Sequence, residues 1–168
     1  MLLSVFTTVH VAISLLGILS GVFVVYGMIS NRRLNGWTPT FLATTFLTSF
    51  TGFFFPFKGV TPGIVVGIIS LAVLALAYVA RYRRDLAGGW RPTYVISATV
   101  ALYFNVFVLI VQLFEKVPAL KTLAPTQSEP PFLVSQVVVM AFFIVAGIAA
   151  VKKFGKEKIT NVTRLRAA

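Results

Sequence analysis

The chain has 168 residues, 58% of them hydrophobic and only 11% charged, with a formal charge of +11 at pH 7 and a mean hydropathy of +0.92. A soluble domain of this length cannot bury so much apolar surface, so composition selects a membrane protein. The positive balance does not indicate a nucleic-acid partner, because the Lys and Arg residues sit between long apolar runs and no zinc-finger or glycine-rich phosphate motif accompanies them. With no Cys present, disulfides, thiolate catalysis and thiolate-bound metals are excluded within the chain.

Long apolar runs predict an all-α, polytopic transmembrane helical bundle of five spans, residues 1–151, followed by a basic cytoplasmic tail, 152–168. The first span covers about 4–29 and carries no charge beyond the titratable His10. No Lys or Arg precedes it and it is too long for an ordinary signal sequence, so it is predicted to be retained. Asn31, Arg32 and Arg33 end it, and Asn35, Gly36 and Trp37 form a turn with an interfacial aromatic. The second span, 38–57, is rich in Thr, whose hydroxyls can bond to carbonyls one turn back; a re-entrant hairpin is the competing topology. Pro56 should stop this helix, since it lacks an N–H and crowds the preceding turn. After a reversal through Lys58 and Pro62, a third span runs from about 63 to 80 and ends at Arg81, Arg83 and Arg84. A polar connector with Gly88, Gly89 and Trp90 leads to the fourth span, 93–114, then a longer loop to Pro131 and a fifth span, 132–151.

Charge sets the direction of insertion. Of the 15 basic residues, Arg32, Arg33, Arg81, Arg83, Arg84, Arg91, Lys152, Lys153, Lys156, Lys158, Arg164 and Arg166 all fall on one side of a five-span bundle. Only Lys58, Lys116 and Lys121 fall on the other. Cytoplasmic connectors retain Lys and Arg, so the N-terminus is predicted outside and the C-terminus inside, in a bacterial cytoplasmic (inner) membrane. The collar of Arg81, Arg83, Arg84 and Arg91, with Lys152 and Lys153, should meet anionic lipids at the inner face or a partner.

Two pairs, Gly17 with Gly21 and Gly63 with Gly67, make small-x-x-x-small patterns suited to close helix packing, within the bundle or between subunits. His10, Ser14, Gly17 and Gly21 fall near one face of the first helix. Counting helical rise places His10, Gln112 and Gln136 in one layer roughly 7–12 Å outward of the midplane. Asn105 lies nearer the middle, seven residues before Gln112 and on the same helical face. Amides are costly in hydrocarbon, so Asn105, Gln112 and Gln136 should face protein, water or a bound polar group, with Tyr103 and Glu115 as further candidates. A neutral His10 is expected to bond to Gln112, Gln136 or Ser14. One His cannot supply both axial ligands of a haem, the four acidic residues form no compact ligand set, and no metal or cofactor site is predicted; bound lipid is the nonprotein component expected.

The loop 115–131 is restrained by Pro118, Pro125, Pro130 and Pro131, and Gln127, Ser128 and Glu129 give it a polar rim. No residues form a convincing catalytic arrangement. The leading expectation is therefore a nonenzymatic accessory or interaction subunit of a membrane complex, joined to copies of itself or to another membrane protein. A small oligomeric transporter or channel with an outward-facing polar site is the alternative, and a membrane oxidoreductase stands behind both.

Overall fold

A computed structural model describes residues 2–56, 59 and 62–155; the last thirteen residues of the tail, and Lys58 in the second connector, lie outside the described residues. The described residues fold into six helices: α1 (Leu2–Ile29), α2 (Trp37–Gly52), α3 (Pro62–Tyr78), α4 (Trp90–Lys116), α5 (Pro118–Leu123) and α6 (Pro130–Lys153). A π-helical turn, Val79–Arg83, prolongs α3. No strand occurs among the described residues. Among the described residues, four helices are long and apolar enough to cross a membrane: Leu2–Ile29, Gly63–Arg83, Trp90–Lys116 and Pro130–Lys153.

The second predicted span is shorter than the sequence suggests. Its helix has 16 residues, about 24 Å at 1.5 Å per residue, short of the roughly 30 Å of a hydrocarbon core. It stops at Gly52 because Pro56 cannot continue it and disfavours helical φ/ψ at Phe55. The chain tightens instead into turns, with Phe53, Phe54 and Phe55 each donating to the carbonyl three residues back. Short as it is, α2 runs antiparallel along most of α1. The contacts step from Phe6–Phe55 (centroids 4.9 Å apart) through His10–Thr51 to Phe23–Trp37 (4.7 Å).

The other boundaries shift by a few residues. The helix predicted from 93 begins at Trp90, with Pro92 tolerated in its first turn, where no internal N–H bond is lost. The segment 115–131, expected as a loop, contains the single-turn α5, opened by Pro118. The third span leaves α geometry at Val79: Arg84 N–H bonds to the Val79 carbonyl, five residues back. Two consecutive left-handed residues follow, Asp85 (φ 47°) and Leu86 (φ 58°). Left-handed backbone at a non-glycine residue costs on the order of 1–3 kcal/mol. Leu86 is anchored there by burial at 3% exposure.

Most of the packed interior lies toward the end of the bundle that carries the basic connectors, the basic end. Val24 and Met28 of α1, Phe41 and Leu42 of α2, Leu74 and Ala77 of α3, Val95, Ala98 and Leu102 of α4, and Ala146 and Ala150 of α6 form one cluster. Small residues on α3, α4 and α6 let these helices approach closely. Lipid tails are as apolar as Leu, so it is dispersion between fitted surfaces that holds such a cluster together in a membrane. A second, smaller cluster of Phe114, Ala124 and Phe132 seats α5 and its loop at the opposite end, the loop end.

Gly21 is the tightest of these approaches. A Cβ there would lie 2.6 Å from Leu102 Cδ1 and 2.8 Å from the Phe41 ring, so α1, α2 and α4 converge on a position only glycine fits. Gly17, one turn away, faces Thr44, Thr45 and Asn105, while Gly67 faces the Phe53 ring. Gly63 is exposed. Gly21→Val should overpack the junction and destabilise the bundle by about 1–3 kcal/mol, read as an earlier unfolding transition in mild detergent. Gly36→Ala, at a right-handed residue (φ −77°) with nothing near its Cβ position, should leave that transition unchanged.

Candidate functional site

Several polar side chains of the bundle form joints between helices, and α2 takes part in three of them. Thr44 and Thr51 each turn the hydroxyl proton back to the carbonyl four residues earlier, at 2.7 Å and 2.6 Å. A hydroxyl has one proton and two lone pairs, so a threonine bonded this way still presents an acceptor to a neighbour. His10 Nδ1 on α1 lies 2.8 Å from Thr51 Oγ1. The contact joins α1 to α2, with the donor role set by the ring tautomer. The ring lies edge-on to Phe55 at 4.9 Å.

The second joint is central. Asn105 Nδ2 on α4 donates to Thr45 Oγ1 on α2 at 3.1 Å, beside Gly17 of α1. Three helices meet there because a glycine leaves room for an amide. The third joint, Ser49 Oγ to Ser70 Oγ at 3.1 Å, ties α2 to α3. On the far side of α4, Gln136 Nε2 of α6 donates to the Phe107 carbonyl at 3.3 Å.

The predicted single layer of His10, Gln112 and Gln136 is divided among these joints. The ring partner of His10 is Thr51, and Ser14 donates to the His10 carbonyl instead of to the ring. Gln112 is exposed. It shares a helical face with Asn105, but α2 and Gly17 meet that face at Asn105. Tyr103 packs its ring among Phe104, Phe107 and Phe143 at 5.6–6.1 Å. Glu115 and Lys116 border an open hollow of about 550 Å³ beside α5. Residue type alone does not single out Thr45 or Ser49, whereas Ser70 continues the Gly63–Gly67 side of the third helix. The spacing of Phe41, Thr45, Thr48, Gly52 and Phe55, alternately four and three residues apart, was the available signal that this face meets another helix.

Two oxygens in this region are buried without a protein hydrogen-bond partner: Thr48 Oγ1 and Gln136 Oε1. Gln136 is only 8% exposed. Thr48 sits between the His10 and Asn105 joints along α2. No group of three or more His, Asp or Glu placed to hold a metal occurs among the described residues.

At the loop end, Glu129 precedes α6 and folds back over the turn before it. Its carboxylate accepts from the Thr126 N–H (3.1 Å), the Thr126 hydroxyl (2.9 Å) and the Ser128 N–H (3.1 Å). Between these donors Gln127 adopts a left-handed φ of 58° and sends its amide to the Val111 carbonyl of α4 at 2.9 Å. Desolvation alone would push the Glu129 carboxyl up, but hydrogen bonds from its own backbone N–H, the Thr126 hydroxyl and N–H, and the Ser128 N–H outweigh it and hold the pKa below the ordinary glutamate value.

At the basic end, Arg81 and Arg84 turn onto the protein. Arg81 donates to Asn35 Oδ1 at 2.6 Å and lies over the Tyr94 ring at 5.4 Å; Arg84 covers Trp90 at 5.2 Å. Arg91 is half-buried, with its Nε without a protein hydrogen-bond partner, beneath Gly155. Gly155 takes a left-handed φ of 86° and donates its N–H to Asn31 Oδ1 at 2.6 Å. Arg83, Lys152 and Lys153 are exposed.

A double-mutant cycle of Asn105→Leu and Thr45→Val should give a coupling of about 0.6 kcal/mol, bounded near 1.7 kcal/mol, the range of interhelical hydrogen bonds in membranes; additive losses in the unfolding transition would show the bond contributes nothing. For Glu129, a depressed folded pKa means that stabilisation is complete above the unfolded value, near 4.3, and is lost as pH falls through the folded value. Hydrogen-exchange protection of the Thr126 and Ser128 amides, corrected for intrinsic rate, should therefore persist at pH 6 and fall away below about pH 4. Glu129→Gln should show the weaker protection already at pH 6.

No protein-family model matches the chain, and neither a curated protein nor a solved structure is significantly similar to it.

Proposed function

We propose that this chain is a nonenzymatic accessory subunit of the cell inner membrane, crossing five times with its N-terminus outside and its basic C-terminus inside, and supporting the assembly or activity of a membrane complex. One observation carries the reading: polar side chains at membrane depth are used pairwise to join helices, His10 to Thr51, Asn105 to Thr45, Ser49 to Ser70 and Gln136 to the Phe107 carbonyl. The basic-end interior beyond them is mainly apolar, and its buried hydroxyls, Ser20, Thr38, Ser97 and Thr99, bond to backbone carbonyls one turn back. In this reading α2 is the fifth crossing, completed by its flanking turns and shielded along α1. The excess of Lys and Arg in alternate connectors supplies the orientation.

The contact surface of the subunit is the outward face of α6. Val134, Val138, Phe142 and Val145 recur at helical spacing there and are 59–67% exposed, and Lys152 and Lys153 close the helix. The partner in this reading is a second copy or another membrane protein, and bound lipid is the nonprotein component it allows. A second reading, a small transporter, is favoured by the unpartnered Thr48 Oγ1 and Gln136 Oε1, which a passing polar solute could engage.

Reconstitution separates the two. The full chain in liposomes should give no ion or small-solute flux above the lipid background, and in native-like lipid it should form a defined assembly that Val138→Trp disrupts while helix content is unchanged. A chain that stays monomeric in native-like lipids and carries flux alone would refute the subunit reading.

A further inference from the structure

Toward the loop end α2 and α3 are joined by the Ser49–Ser70 bond and by the Phe53 ring against Gly67. Toward the basic end they part, because each is committed elsewhere. Phe41 of α2 enters the space left by Gly21 of α1, whereas α3 buries Ala77 and Ala80 in the common core and its π turn places Arg81 on Tyr94 of α4. The divergence leaves a groove of about 730 Å³ between the two helices, within the roughly 300–1,000 Å³ of small-molecule sites.

The groove has a polarity gradient. Leu42, Phe46, Leu74 and Val79 give it apolar walls, and the only side-chain hydroxyls among its lining residues are those of Tyr78 and Tyr82. Both tyrosines come from the end of α3 and the π turn, at the basic end. The Arg81–Asn35 hydrogen bond links the π turn to the connector that leads into α2. Arg32 and Arg33 on that connector, and Arg83 beside Tyr82, are exposed. Asp85, the one acidic residue of the neighbouring connector, is exposed as well, and no ion pair is formed by these arginines among the described residues. A long apolar slot, phenol groups at one end and guanidinium groups near that end that form no ion pair among the described residues together match an amphiphile with one long tail segment and an anionic head.

Building on the membrane-subunit reading, we propose that the α2–α3 groove holds one acyl chain of an anionic phospholipid, its phosphate at the Tyr78–Tyr82 end within reach of the exposed arginines. Tail burial alone gives little preference over bulk lipid, since the bilayer is equally apolar. Selectivity comes from the head, and because attraction near a membrane surface grows with each Lys or Arg, the site discriminates by charge. It differs from the surrounding lipid annulus in being single, retained and headgroup-selective.

The test is native mass spectrometry of the full chain released from nanodiscs containing phosphatidylglycerol and phosphatidylcholine in equal amounts. The wild-type chain should retain one phosphatidylglycerol, with about tenfold preference over phosphatidylcholine given several arginines at the mouth. Ala75→Phe, which fills the groove from the α3 wall, should abolish retention with helix content and unfolding transition intact; if that variant fails to fold, Ala43→Phe fills it from α2. The pair Arg33→Gln and Arg83→Gln should keep a retained lipid but lower the anionic preference about fivefold. Absence of a retained lipid, equal retention of the two lipids by the wild-type chain, or retention undisturbed in a folded filled-groove variant would each overturn the site. The lipid readout requires no partner, so it can fail while the α6 assembly persists, and the reverse also holds.

Discussion

Water is not available within hydrocarbon to complete a hydrogen bond, so each polar group that enters must find its partner in the protein. Thr44, Thr45 and Thr51 of α2 show how this bundle meets that requirement, whereas the Thr48 hydroxyl oxygen is buried without a protein partner. Thr44 and Thr51 satisfy the hydroxyl proton locally, on the helix backbone. For Thr51 this leaves the oxygen available to His10 on α1. Thr45 gives an oxygen to Asn105 on α4, and Ser49 reaches Ser70 on α3. The most hydroxyl-rich helix is for this reason placed between others.

Close packing supplies the rest. Gly17 and Gly21 remove side chains where α1 would hold α2 and α4 apart, and what fills the space differs between them: hydroxyls and an amide near Gly17, Phe41 and Leu102 near Gly21. The polar joint and the apolar junction are thus adjacent levels of one seam. Below the seam, Ala77, Ala98 and Ala150 allow α3, α4 and α6 to close. Above it, the loop end depends on the Phe114–Phe132 contact and the Glu129 turn. Two helices bound firmly to other neighbours cannot also stay in contact along their whole length, and the α2–α3 groove is the geometric remainder.

Much of this was legible in the residues. Uninterrupted apolar length located α1, α3, α4 and α6, and Pro56 marked the end of α2. Axial position was the easier part of the candidate site, because rise per residue is constant. Which neighbour a side chain meets was harder. Asn105 and Gln112 share a face, yet only Asn105 meets α2 and Gly17, because whether a neighbouring helix extends that far is a property of the bundle and not of α4. His10 could not be matched to Thr51 without knowing that α2 runs back along α1. The six residues of α5 are too few for a periodic signal, although Pro118 suits a helix start.

Gly155 shows how the end of α6 is fixed. Its N–H is held by Asn31, 124 positions earlier, its left-handed backbone leaves room for Arg91, and Phe154 beside it packs at 6.2 Å from Tyr94. The end of α6 is therefore fastened to the connector between α1 and α2. A truncation that removes Phe154 and Gly155 takes away, at the same stroke, the ring packed on Tyr94 and the N–H donated to Asn31.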